Sequence, residues 1–578
     1  MQPVVNGFRQ LAYTIQSERS ALHLSRWIFI RLLGVIYLIA FISLWRQIDG
    51  LIGHNGILPV ADYLNAVSEG LGPERCWWVP TFSWFNGSDG FLHLQCAAGV
   101  ALSLLLIAGV APVLDLLFLW AIYLSLSTVC RDFLSFQWDI LLLETGFLAI
   151  FLAPRQWLPK LSRETMPSIT VLWLCRWLLF RLMFMSGAVK LLSRDPAWWN
   201  LTALAVHYET QPLPTWIGWY AHQLPFWFQR TCCALMFITE LAAPFLIFCG
   251  RRARQIACGA FVLFMLLISL TGNYCFFNLL TMALCLLLLD DAFLLRLLPS
   301  SAAAFVRRLL IPPVASGSQP HEASRPEEVP ASVEFPSWEA STTFLSRIGT
   351  MNQIGTPLPP LSPQGGERVA EGRERGGSWR GLGVGSRKGF RAIGVAALAA
   401  IVLALSGLET VARLFRLENL PRPALQLLRL ASPLRTVNSY GLFAVMTTTR
   451  PEIVVEGSND GVTWLPYEFK WKPGELKRRP AFVAPHQPRL DWQMWFAALS
   501  DYRREPWFMN FLVRLLQGSP EVLALLQKNA FPDPPPRSVR AVLYEYRFTD
   551  VATRRATGEW WQRERKGLYC PEISLRQN

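Results

Sequence analysis

Long uninterrupted apolar runs are the feature that most constrains the fold of this chain. Several of them exceed the ~18 residues from which a membrane-spanning helix is recognised. The chain is 52% hydrophobic and only 17% charged, whereas soluble domains carry about 25% charged residues. The sequence therefore predicts a polytopic α-helical membrane protein with about nine spans. We place the spans at 27–45, 92–110, 113–129, 138–153, 171–191, 231–249, 255–271, 275–298 and 392–408.

The distribution of basic residues predicts an orientation in the membrane. The formal net charge is +14, which in a soluble chain would suggest nucleic acid. Here the Lys and Arg residues lie between apolar runs, so we expect no nucleic-acid partner. The loops 153–164 and 251–254 and the N-terminal segment are basic, and the positive-inside rule then places the N-terminus in the cytosol. Nine spans would put the C-terminal region on the opposite face, and a different span parity would reverse this.

Changes in composition divide the chain into four regions. Residues 1–311 hold eight of the nine predicted spans and form the multi-span domain. Residues 312–390 are rich in proline and glycine and cannot bury enough apolar surface to fold, which predicts a disordered linker. The last predicted span and a juxtamembrane helix occupy 391–432, and a soluble domain follows at 433–578.

The C-terminal region replaces helical apolar runs with alternation typical of strands. Two strands are predicted around Asp460-Gly461 in EIVVEGSNDGVTWLPYEFKW, because Asp-Gly between alternating runs is a strong hairpin signal. Two helices are predicted in LDWQMWFAAL and PWFMNFLVRLLQG, the second ending at Gly518. Further strands are predicted in SVRAVLYEYRFT and TGEWWQRERKGLY. We expect a compact α+β domain with β-sandwich-like strands and a core of its own.

Tryptophans are frequent in this C-terminal domain and have two interpretations. Aromatic side chains bury large areas while keeping a polar atom, so they are enriched at protein interfaces. They also fill cores and lie at the membrane surface. The candidates for contact with a client protein are Trp464, Trp471, Trp492, Trp495 and Trp507.

Ionisable residues in or beside the spans form a candidate polar site in the membrane half. Such groups cost about 2.5–3.5 kcal/mol each to insert, so they pair or line a cavity. Either Glu144 or Glu240 neutralises the cations Arg181 and Lys190 and holds the bundle together, or the residues form a functional site. Cysteine and histidine show no metal-ligand spacing, and we predict no metal and no cofactor. The candidate polar residues are Asp139, Glu144, Arg181, His207, Glu209 and Glu240.

Four segments carry a family resemblance. The strings NGILPV, FLSFQWDILLLETGFLAIFLAP and HYETQPLPTW in the membrane half, with 438–510 in the C-terminal domain, closely resemble the lipase maturation factor family. The resemblance implies a membrane-anchored, non-catalytic folding factor that contacts membrane lipid and assists secreted clients, such as lipases. It further implies an endoplasmic reticulum or bacterial inner membrane location, with the C-terminal domain outside the cytosol.

A second resemblance centres on Lys190. The segment SGAVKLLSRDPAWW is similar to the sequence around the active-site lysine of vitamin K-dependent γ-glutamyl carboxylase and of related horizontally transferred transmembrane proteins. This implies an alternative, a membrane enzyme in which Lys190 acts as a general base on a lipid, quinone or protein. A lysine base needs a lowered pKa, for which Arg181 and Arg194 are candidate neighbouring cations.

Overall fold

The computed structural model describes residues 22–158, 166–310, 383–417 and 420–575. Most of the predicted linker, 312–382, lies outside these ranges. Within them, the membrane half and the C-terminal region pack into one compact unit that joins residues up to 311 with those from 391 onward.

Nine helices of the described chain correspond to the predicted spans, and we number them in chain order. They are α1 (His23–Trp45), α2 (Asp89–Ala108), α3 (Pro112–Val129), α4 (Gln137–Leu152), α5 (Ile169–Leu192), α6 (Phe226–Phe237), α7 (Arg251–Thr271), α8 (Phe277–Cys285) and α9 (Gly383–Leu414). The helix α6 continues through a π-helical turn, Ile238–Ala242, into a 3₁₀ segment, Ala243–Phe248.

The number of spans depends on two of these helices. Among the described residues, seven helices are long and apolar enough to cross a membrane. An eighth results if Phe277–Leu288 and Asp291–Leu297 count as one span, although they meet at 116°. The remaining helix, α4, has 16 residues, or about 24 Å at 1.5 Å per residue, which is shorter than a ~30 Å hydrocarbon core. The prediction of nine spans requires that both the bent pair and α4 cross the membrane.

Residues at the helix ends explain where the spans begin and stop. The hydroxyl of Ser88 accepts a hydrogen bond from the backbone N–H of Phe91 at the start of α2, and Ser168 does the same for Val171 at the start of α5. Serine is a favoured N-cap because it satisfies one of the free N–H groups of the first turn. At the end of α2, Gly109 has a φ of 85°, which closes the helix in the left-handed conformation that glycine tolerates.

Shorter helices join the spans and fill the C-terminal region. Three of them are numbered for later use: α10 (Arg422–Ala431), α11 (Arg489–Ala498) and α12 (Pro506–Leu516). The others are Ile48–Ile52, Val60–Leu71, Arg75–Trp78, Pro196–Trp199, Ala203–Thr210, Trp216–His222, Asp291–Leu297, Ser300–Leu310, Pro520–Leu523 and Val551–Thr557.

Antiparallel strands form two sheets in the described C-terminal residues. The strands are β1 (Arg450–Ser458), β2 (Leu465–Pro466), β3 (Glu468–Phe469), β4 (Leu526–Lys528), β5 (Ser538–Phe548) and β6 (Trp561–Ser574). The larger sheet has four strands in the order β2-β1-β5-β6, and the smaller sheet pairs β3 with β4. In the larger sheet, β1 pairs with β5 over its full length, for example Val455 with Ala541.

The local predictions for this region are confirmed. The hairpin forms between β1 and β2, and the carboxylate of Asp460 accepts the N–H groups of Val462 and Thr463 at 2.8 and 2.7 Å. These hydrogen bonds hold the pKa of Asp460 well below its usual value. The predicted helices are α11 and α12, and the left-handed Gly518, with φ of 66°, follows α12.

The C-terminal domain shares its core with the membrane helices, which differs from the self-contained core expected from the sequence. One cluster of buried apolar side chains runs from α1 through α8 into β1, α11 and α12. Trp492 of α11 packs edge-on against Trp138 of α4, with ring centroids 4.7 Å apart. Trp507 of α12 contacts Phe133 in the loop before α4 at 6.0 Å. The two regions therefore cannot separate without exposing these rings.

Close helix packing gives a first testable prediction. A Cβ atom added at Gly99 in α2 would lie 2.6 Å from Cγ of the buried Phe41 ring in α1, and closer still to two other ring carbons. We expect Gly99→Ala to destabilise the protein by about 1–3 kcal/mol, because the ring or the helix must shift to admit the methyl group. Thermal unfolding of the detergent-purified protein measures this.

The matched control for this prediction is Gly259→Ala in α7. A Cβ atom added at Gly259 would meet no atom within 4 Å, so this substitution should not destabilise the protein through overlap. Equal stability of the Gly99→Ala and Gly259→Ala variants would contradict the close packing of α1 on α2.

Candidate functional site

The C-terminal domain contacts the loops at one end of the helix bundle. The loops are 46–88, 130–136, 193–225 and 272–276. We call the surface between these loops and residues 436–575 the docking interface. At its edge, the Oγ of Ser43 lies 2.9 Å from Nδ1 of His486, and Asn273 donates to the carbonyl of Ala481 at 2.8 Å. Asn273 also accepts the N–H of Val483 at 2.7 Å. Backbone groups that would otherwise be unpaired are thus satisfied across the interface.

A bidentate ion pair between Asp139 and Arg489 crosses the docking interface. The two guanidinium nitrogens of Arg489 lie 2.7 and 2.9 Å from the two carboxylate oxygens of Asp139. Both side chains are fully buried. The carboxylate also accepts the hydroxyl of Tyr123 at 2.6 Å, and Arg489 donates to the carbonyl of Phe133 at 2.9 Å. This network neutralises an acid at the start of α4 with a cation from the C-terminal domain.

A second buried network surrounds Glu144, which lies five residues after Asp139 in α4. Its carboxylate pairs with Arg181 of α5. It also accepts the backbone N–H of Asn438 at 3.0 Å and the hydroxyl of Tyr440 at 2.8 Å. Arg181 in turn donates to the carbonyl of Asn438 at 2.9 Å. The segment that enters the C-terminal domain is therefore fastened to two membrane helices by an ion pair inside the bundle.

Arg450, at the start of β1, clamps the loop that follows Ala203–Thr210. Its guanidinium donates to the carbonyls of Glu209 and Pro212 at 2.6 and 2.9 Å, and it pairs with Glu452 at 2.7 Å. The carboxylate of Glu209 accepts the backbone N–H of Phe548 in β5 at 2.9 Å. Glu209 thus joins the end of the helix Ala203–Thr210 to the sheet.

Lys190 pairs with Glu240, and both are buried inside the membrane half. Its Nζ lies 2.8 and 2.7 Å from the two carboxylate oxygens and 3.0 Å from the carbonyl of Ser186. These three acceptors occupy the three donors of an ammonium group. A general base needs a neutral amine, so this pairing favours a packing role. The cations proposed as neighbours lie elsewhere, because Arg181 pairs with Glu144 and Arg194 is exposed.

Two histidines at the docking interface remain neutral near physiological pH. Burial and the nearby Lys190 lower the pKa of His207 to about 4. Burial lowers the pKa of His486 to about 4, with help from Arg46, Arg489 and Lys470. His207 does not join the Lys190–Glu240 pair by a direct hydrogen bond, and its Nε2 instead lies 3.3 Å from the hydroxyl of Tyr274.

Most of the candidate tryptophans pack at the docking interface. Trp492, Trp495 and Trp507 are buried, and the indole N–H of Trp495 donates to the carbonyl of Thr210 at 2.9 Å. Burial favours the packing interpretation for these three. Trp464 and Trp471 are half-buried, so part of each side chain stays exposed.

Four residues with buried polar contacts at the docking interface were not among the candidates. Arg489 and Arg450 supply the cations, and Asn438 and Asn273 supply paired amides. Neither arginine has a local signal, because Arg450 stands between Thr449 and Pro451 and Arg489 between Pro488 and Leu490. The asparagines have none either, since their partners, such as the Glu144 carboxylate for Asn438 and the Ala481 carbonyl for Asn273, are distant in sequence.

The fold and its buried contacts define a multi-pass membrane protein whose C-terminal α+β domain is docked on one end of the bundle. Two family models match: the lipase maturation factor transmembrane domain over residues 24–296, and the lipase maturation factor C-terminal domain over 436–571. The chain belongs to the lipase maturation factor family.

Named relatives are similar over nearly the whole chain. Lipase maturation factor 2 of Xenopus laevis is 39% identical over 96% of this chain and 82% of its own length. Human lipase maturation factor 2 is 38% identical over 96% of this chain and 83% of its own length. Mouse lipase maturation factor 1 is 33% identical over 96% of this chain and 87% of its own length. No solved structure shows significant similarity to the chain.

The ion pair of Asp139 with Arg489 gives the second prediction. Asp139→Asn and Arg489→Met should each cost about 3–5 kcal/mol, because each leaves a buried charge or polar group without its partner. The double variant should lose clearly less stability than the sum of the two single losses. A double-mutant cycle measured by thermal unfolding tests this.

An exposed ion pair provides the matched control for this cycle. Arg547 pairs with Glu545 at 2.7 Å, and the Arg547 side chain is 62% exposed. Arg547→Met should change stability by no more than about 1 kcal/mol. If Arg489→Met were as mild as Arg547→Met, the buried pair would not hold the two regions together.

Proposed function

We propose that this protein assists the maturation of secreted, lipase-like proteins by presenting its docked C-terminal domain to them. The names of its relatives, lipase maturation factors 1 and 2, support this activity. The near-complete coverage of this chain in those matches supports extending the proposal to both halves. The client is a partly folded polypeptide, and the protein acts by binding rather than by covalent chemistry.

The charge distribution supports an orientation with the C-terminal domain outside the cytosol. The basic residues 251–254 begin α7 at the end of the bundle opposite the docking interface. At the same end, Arg251 pairs with Asp290, and the N–H of His23 at the start of α1 donates to Asp291. Basic residues favour the cytosolic side. The docked domain would then face the endoplasmic reticulum lumen, or the periplasm in a bacterium, where secreted clients fold.

A groove at the edge of the docking interface is the observation that carries the proposed client contact. It has a volume of about 260 Å³ and is lined by residues of both regions. Trp471 is half-buried in it, Phe482 is 43% exposed, and the cations Arg46 and Lys470 are exposed. The acid in the groove, Asp491, is already occupied, because it accepts the backbone N–H groups of Trp471 and of the next residue at 2.8 Å.

The lining of this groove fits an apolar polypeptide segment that carries acidic side chains. Aromatic surfaces bind exposed apolar side chains of an unassembled client, and arginine and lysine attract its carboxylates. Because Arg46 lies just after α1 and Lys470 follows β3, the groove keeps its shape only while the two regions remain docked. Rigid docking therefore lowers the conformational cost of binding a client.

Substitutions in the groove test the proposal. We expect Trp471→Ala to weaken client binding by about 2 kcal/mol, roughly 30-fold, if it is the anchor of the contact. Lys470→Glu should weaken it further by repelling client carboxylates. The readout is the secreted activity of a co-expressed lipase, in cells depleted of their own maturation factors, together with co-purification of that lipase.

A tryptophan at the opposite end of the bundle provides the control. Trp157 is 72% exposed and lies after α4, away from the docking interface. Trp157→Ala should leave lipase secretion unchanged. Thermal unfolding of each variant separates loss of binding from loss of folding. Unchanged lipase activity with folded Trp471→Ala and Lys470→Glu variants would exclude the groove as the client site.

A further inference from the structure

A second cavity lies between α9 and the segment that leads into the C-terminal domain. Its volume is about 540 Å³, within the ~300–1,000 Å³ range of small-ligand sites. Glu409 of α9 and Arg435 of the following segment both line it, together with Trp78, Thr128 and Ile140. The client groove described above does not include any of these residues.

The cavity opens where the apolar helices end. Thr128 is in the last turn of α3, Ile140 is in the first turn of α4, and Glu409 is in the last part of α9. Helix ends at this level meet the lipid head groups rather than the acyl chains. Trp78 comes from the loop 46–88, and tryptophan is enriched at this depth.

Two opposite charges face the cavity without neutralising each other. Among the described residues, neither Glu409 nor Arg435 forms an ion pair. Glu409 and Ser439 line the same cavity, and Arg413, which attracts Glu409 electrostatically, is exposed. Arg435 is half-buried, and burial lowers its pKa. Asp139, which attracts Arg435, is already paired with Arg489. An anion that enters the cavity therefore stabilises this partly desolvated cation.

We propose that this cavity binds the head group of a zwitterionic phospholipid, with Arg435 on the phosphate and Glu409 facing the ammonium group. Guanidinium groups recognise phosphate through charge-assisted hydrogen bonds. The indole ring of Trp78 supplies a face for the ammonium group, which aromatic rings attract. A purely anionic head group would meet the Glu409 carboxylate without a compensating cation.

The helix α10 supplies an independent reason to place lipid here. It connects the end of α9 with the cavity, and no residue of it is buried. Leucines form an apolar side, with Leu427 56% exposed and Leu430 52% exposed, while Arg422 and Arg429 carry positive charge. A helix with this pattern lies in the membrane interface with its apolar side in the bilayer. The bilayer surface therefore covers α10 and brings head groups to the mouth of the cavity.

Native mass spectrometry of the full-length, delipidated protein tests the proposal. The probes are phosphatidylethanolamine, phosphatidylglycerol with the same acyl chains, and soluble glycerophosphoethanolamine. We expect phosphatidylethanolamine to bind more tightly than either of the other two. Arg435→Gln should weaken its binding about tenfold, through loss of a charge-assisted hydrogen bond to phosphate. Glu409→Gln should weaken phosphatidylethanolamine binding and leave phosphatidylglycerol binding unchanged or stronger.

The remaining outcomes overturn the proposal. Equal binding of the two lipids, or unchanged phosphatidylethanolamine binding in folded Arg435→Gln, would exclude a zwitterionic site at Arg435. Binding of glycerophosphoethanolamine as tight as that of the lipid would identify a site for a free solute instead. Arg308→Gln, an exposed arginine at the other end of the bundle, is the matched control. If Arg435→Gln does not fold, the Glu409→Gln variant tests the proposal instead. An unchanged preference of that variant for phosphatidylethanolamine over phosphatidylglycerol would then overturn it.

Discussion

The burial of charge between two distant parts of the chain is the constraint on which the rest of the structure depends. Asp139 and Arg489 are 350 residues apart in sequence and neutralise each other where neither touches solvent. Removing two such charges from water costs several kcal/mol for each ion, and only close pairing offsets the cost. An acid in α4 is therefore tolerable only while the C-terminal domain supplies its cation. Folding of the membrane half and docking of the C-terminal domain are one process.

This coupling shapes both proposals for function. In the proposed orientation, a domain held by Arg450, Arg489 and the network around Glu144 would keep its outer groove at a fixed height above the membrane. The segment from α10 to Tyr440, which ends at the Glu144 network inside the bundle, would run along the bilayer surface. A lipid head group between Glu409 and Arg435 would stabilise this segment where it leaves the membrane. Client contact and lipid contact would thus act at two separate sites, which share no lining residue.

The sequence predicts the elements of this fold well, because each depends on local patterns. Long apolar runs place the spans, alternation places β1, β5 and β6, and Asp460-Gly461 places the hairpin turn. The cost of charge in a membrane also predicts that Glu144 and Glu240 have partners.

Pairing of distant residues could not be predicted in the same way. Nothing near Asp139 indicates that its cation lies in α11, and nothing near Trp492 indicates which side of that helix is covered. The family resemblance predicted the class of protein, and the matching models confirm it. The second resemblance, to the γ-glutamyl carboxylase, implies that Lys190 acts as a base, and the three acceptors that hold its ammonium group do not favour that role.

Cleavage of the covalent connection tests the coupling of the two regions most directly. A protease site inserted within 312–382 of the full chain would separate residues up to 311 from those that include α9 and the C-terminal domain. After cleavage in detergent, we expect both fragments to elute together from a sizing column and to unfold in one thermal transition, at the temperature of the uncut protein. Fragments that separate, or that unfold in two independent transitions, would contradict the coupling.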